Sequence, residues 1–76
     1  MSTEERVRGL EKELQKRKRI AAEWAGRMHD LAEERLPEHF AEIAEIAEGT
    51  RNACMAWKEI ADELKAAQAA AEVTAS

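Results

Sequence analysis

Seventy-six residues with a net charge of −4, 45% apolar and 37% charged, bound the chain to one small domain. An acidic chain is repelled by phosphate backbones and by anionic lipid, no apolar run approaches the ~20 residues of a bilayer span, and a lone Cys54 leaves no internal disulfide to form. With 4% aromatic residues, no Tyr and one Pro, the composition is that of long amphipathic helices, and the absence of a basic, apolar leader after Met1 predicts a cytoplasmic protein that meets neither membrane nor nucleic acid.

Ser2 and Glu5 have the spacing of a capping box, and the acidic pair Glu4 and Glu5 suits a helix N-terminus, so helix 1 is expected to begin near residue 3. From Val7 the heptad a and d positions read Val7, Leu10, Leu14, Arg17, Ala21, Trp24, Met28 and Leu31, a seam with one charged member. The helical pattern continues to about residue 35. Pro37 then removes an N–H and drives Leu36 out of the helical region, which predicts a turn over about 36–41 built on Leu36 and Pro37.

Helix 2 is expected over about 42–72, with a register of Ile43, Ile46, Thr50, Ala53, Trp57, Ile60, Leu64, Ala67 and Ala71. Ala47, Cys54 and Ala61 widen this stripe beyond what one partner helix covers. A second copy of the hairpin is the simplest cover. The fold class is therefore all-α: a single antiparallel two-helix hairpin over residues 1–76 that assembles into a four-helix bundle, as a dimer or a dimer of dimers. The expected interaction and oligomer core is Leu14, Ala21, Trp24, Met28, Leu31, Ile46, Ala53, Cys54, Trp57, Ile60 and Leu64.

Antiparallel folding about Pro37 is expected to pair residues whose numbers sum to roughly 77, which sets Trp24 against Ala53 and Trp57 against Ala21. It also places Arg17 beside Ile60 and runs Lys16, Arg17, Lys18 and Arg19 past Glu59, Asp62 and Glu63. Gly26 and Gly49 have no role in this register, and residues 73–76 are expected to fray.

Residues 1–35 carry nine basic against eight acidic side chains, and residues 36–76 three against eight. Glu42, Glu45 and Glu48 fit a solvated face at a helix start. His29 and Glu33, at i and i+4, have the spacing that lets an imidazole and a carboxylate share one ion. With His39 they are the weak metal candidates, set against the plainer reading of a solvated helix face. Neither His follows Glu in the Glu-x-x-His pattern of a di-iron bundle. Cys54 reads as a small buried apolar residue with no base beside it. Nucleophilic triads, phosphate-binding glycine loops and Cys-x-x-Cys pairs are absent from the sequence, so neither an enzyme nor a cofactor is expected.

The segment His29-Asp30-Leu31-Ala32-Glu33, then Leu36-Pro37, then Glu42-Ile43 with Ala47 and Thr50, resembles the small Rop-like proteins encoded in nitrogen-fixation gene clusters. The chain departs from that pattern by one extra residue between Glu33 and Leu36 and by Ala44 where a second proline often stands. The resemblance implies a helical hairpin and a non-catalytic accessory role in nitrogen fixation, exercised through oligomerisation and contact with another nitrogen-fixation protein. A second resemblance, in architecture alone, is to the Rop class of dimeric hairpins that bind paired RNA loops through a basic face. It keeps RNA binding open as the alternative, beside a metal-binding oligomer.

Overall fold

The computed structural model describes the backbone of residues 2–75 and the side chains of residues 2–72. The chain is a two-helix antiparallel hairpin measuring 58 × 17 × 14 Å. Helix α1 runs Thr3–Asp30, a π-helical turn follows over Leu31–Arg35, and helix α2 runs Glu42–Ala75. Ser2 caps α1 as its spacing predicts: it is extended, and its Oγ accepts the Glu5 N–H at 3.2 Å. The backbone helix of α2 enters the Ala-rich end where fraying is expected, and the side chains there and Ser76 lie outside the described residues.

The helix breaks where proline dictates. Leu36 is extended, at φ −95° and ψ 148°, which is where the ring of Pro37 forces its predecessor. From there the chain steps back through short hydrogen-bonded turns: the Phe40 N–H donates to the Pro37 carbonyl, Glu42 to His39 and Ile43 to Phe40. The last turn of the first arm differs from the ordinary α-helix expected there. Its five residues are wound in the wider π form, which takes up one residue more than an α turn.

The core is a single seam. Ala21 and Leu31 from the first arm, and Ile46, Ala53, Ile60, Leu64 and Ala67 from α2, are buried. Two contacts fix the register, and both differ from the expected pairing sum of roughly 77. Trp24 lies on Gly49, so closely that a Cβ there would overlap its ring, and the Arg17 guanidinium donates from Nη1 to the Ala56 carbonyl at 3.0 Å. Both pair residues whose numbers sum to 73, one helical turn away from 77.

Three further expectations are corrected by this register. Trp24 meets Gly49, not Ala53, which gives Gly49 the role it lacked. Arg17 reaches Ala56, not Ile60, and its Nε pairs with Glu13 of its own helix at 2.9 Å. Lys58 and Asp62 likewise pair within α2, and among the described residues no ion pair joins Lys16–Arg19 to Glu59–Glu63. Met28 and Cys54, expected in the interaction and oligomer core, are exposed in the single hairpin, beyond the strip that one partner helix covers.

Candidate interaction site

Two surfaces could do work: an apolar flank along the hairpin and the closed end around the turn. The flank follows from helix geometry. On α2, Gly49 and Ala56 lie to one side of the buried Ile46–Ala53–Ile60 line, and Ala47, Cys54 and Ala61 lie to the other, seven residues apart and so almost in line. Trp24 and Arg17 of α1 close the first edge. Ala22 and Ala25 of α1 therefore share the second edge with Ala47, Cys54 and Ala61, and all but the half-buried Ala61 are exposed. Small side chains on both helices leave this edge smooth and accessible.

Burial supports the same picture. Among the described residues no large side chain is fully enclosed, and Leu14, Trp24 and Trp57 of the expected core are only half-buried. The hairpin exposes 5933 Å². A compact monomer of 8.6 kDa would expose about 4,700 Å².

At the closed end the wide turn and the short turns set two edges. On the polar edge, Glu42 gathers its neighbours: Arg35 Nη2 lies 3.6 Å from one carboxylate oxygen and His39 Nδ1 lies 3.1 Å from the other. The His39 N–H also donates to the Arg35 carbonyl at 2.8 Å. Pro37, Phe40 and Ile43 recur every third residue along the other edge, the spacing at which tight turns eclipse side chains. Phe40 is 69% exposed and Ile43 48%.

The metal candidates are split by this geometry. His29 Nε2 stands 3.3 Å from Glu33 and its Nδ1 3.8 Å from Asp30, whereas His39 turns to Glu42. Among the described residues no three His, Cys, Asp or Glu side chains converge as a metal site would require. In the basic run, Lys16, Lys18 and Arg19 are exposed, but Arg17 already has its fork on Glu13 and Ala56. Arg27 stacks over the Trp24 ring at 4.8 Å. The open end holds a shallow groove between the helices, lined by Thr3, Val7, Glu11, Gln68 and Ala71.

Sequence reading missed the Trp24–Gly49 recess, the Arg35–Glu42–His39 clasp and the exposed Phe40. A tryptophan on one seam and a glycine on the facing helix was the available signal for the first. Within the described residues no helix is long and apolar enough to cross a membrane. A family model described as Rop-like matches residues 5–69. No curated protein and no solved structure matches the chain.

Proposed function

The chain belongs to the Rop-like family, and on that premise we propose that it is a non-catalytic accessory protein of nitrogen fixation that acts as an oligomeric protein–protein interaction module. The carrying observation is the surface: the hairpin leaves about 1,200 Å² more exposed than a compact monomer of its mass, and a standard interface covers about 800 Å² on each partner. A second copy laid on the Ala22, Ala25, Ala47, Cys54 and Ala61 edge covers that excess, and the exposed Met28 becomes a candidate for the same interface. Residues 30–48 hold seven carboxylates against Arg35 alone. Two such ends side by side repel, so the copies pack with their turns at opposite ends. The nitrogen-fixation role is supported by the His29–Glu33, Leu36–Pro37 and Glu42–Ile43 pattern.

Sedimentation tests the assembly. The wild type is expected to run as a dimer or a dimer of dimers, and Ala47→Glu with Ala61→Glu as a folded single hairpin; a monomeric wild type overturns the module. Deleting the gene tests the process: growth on dinitrogen should suffer and growth on ammonium should not. Equal growth on both with and without the gene counts against the role. An RNA-binding hairpin has less behind it, because Arg17 is already engaged and the molecule is acidic.

A further inference from the structure

We propose that the closed end of the hairpin is a docking surface for a basic segment of a partner protein that carries an apolar anchor. The proposal deepens the interaction-module reading and rests on it, but it uses a different surface from the one between copies. The argument begins with Phe40, a large apolar side chain 69% exposed at the apex of the turn. A surface aromatic is unremarkable alone. Phe40, however, is continued by Ile43 at 48% exposure, and the three-residue hydrogen-bond steps from Pro37 to Phe40 and from Phe40 to Ile43 hold the row in line.

The row is held from behind. Backbone hydrogen bonds from His39 to Arg35 and from Glu42 to His39 hold the turn, and the Arg35, His39 and Glu42 side chains meet at 3.6 and 3.1 Å along another edge of it. A preorganised anchor binds with less ordering cost than one on a loose loop.

Charge selects the occupant. Asp30, Glu33, Glu34, Glu38, Glu42, Glu45 and Glu48 surround the row in sequence, opposed by Arg35, for a formal charge of −6 over residues 30–48. The remainder of the chain is then +2. Among the described residues no ion pair engages Glu34, Glu38, Glu45 or Glu48. Such an end repels RNA, anionic lipid and the same end of a second copy, and it attracts lysine and arginine. An apolar row in a stretch of chain with a formal charge of −6 is complementary to an amphipathic basic segment, whose apolar face meets Phe40 and Ile43 while its cations meet the glutamates.

The test uses three synthetic peptides of about fifteen residues: one with Leu at helical i, i+4 spacing among lysines, one with Glu replacing Lys, and one with Ser replacing Leu. Each is titrated into the full chain while amide NMR shifts and fluorescence anisotropy are followed. The Leu/Lys peptide is expected to move residues 36–45, to weaken as salt rises, and to lose about tenfold or more in affinity with Phe40→Ser. The other two peptides should bind at least about tenfold more weakly. Shifts centred on the Ala47–Ala61 edge, or unchanged affinity in Phe40→Ser, overturn the proposal. Sedimentation of Phe40→Ser separates the two readings. Retained assembly is expected, a lower mass would make the turn a self-contact and sink the proposal, and a monomeric wild type with peptide binding intact would sink the module alone.

Discussion

At the residue scale the three glycines make opposite demands. Gly26 and Gly9 have nothing within 4 Å of where a Cβ would stand, so each is free to gain helix propensity. Gly49 has the Trp24 ring in that place. Gly26→Ala is expected to stabilise the hairpin by up to about 1 kcal/mol, whereas Gly49→Ala should destabilise it by about 1–3 kcal/mol through overpacking, despite the same propensity gain. Urea denaturation reads both, and two shifts of the same sign would show that Trp24 is not seated on Gly49. Arg17 makes a second local prediction. Its Nη1 bond runs to a neutral carbonyl while its Nε pairs with Glu13, so Arg17→Lys should lose part of the stability, and the carbonyl's share of the loss should survive high salt. Denaturation midpoints compared at low and high salt check this. Neither role was legible in the sequence, because a glycine inside a helix shows only its propensity cost until the facing residue is known, and the facing residue depends on register.

The element that sets the register is the turn. Its break was readable: Pro37 admits one conformation for Leu36, and a backbone rule needs no partner. The π turn was not readable, since Leu31–Arg35 fits an α pattern equally well and the two windings differ by one residue in hydrogen-bond span. The turn decides which residue of α2 faces Trp24, and that residue is Gly49 in place of Ala53. A deletion follows as a test. Removing Glu34 lets the wide turn relax to an ordinary one, and the melting temperature is expected to move by less than about 8 °C, the equivalent of roughly 1 kcal/mol in so small a domain. Removing Ala22 turns half of α1 by about 100° relative to the other half and should abolish the cooperative transition. Similar melting curves for the two deletions would mean that the wide turn has no slack to give up.

For the whole molecule, the width of the apolar stripe on α2 was legible before any coordinates, because Ala47, Cys54 and Ala61 repeat at heptad spacing beside the seam. What covers them was not, since small residues fit a neighbour or water equally well. Cys54 reports on this directly: its thiol is open in one hairpin and should be shielded in the assembly. Its reaction rate with a thiol reagent is expected to fall about tenfold or more as protein concentration rises through the association range. A rate independent of concentration would place the contact elsewhere. The uneven distribution of charge along a 58 Å rod also has an electrical consequence. In ~0.15 M salt, where fields decay within about 8 Å, each end acts on its surroundings as an isolated pole, and the average charge of the molecule governs nothing that touches it. In ~0.01 M buffer the reach grows to about 30 Å, half the rod, so a lone hairpin should orient like a compass needle while two copies with opposed turns cancel, and transient electric birefringence that falls as the copies associate would be the signature.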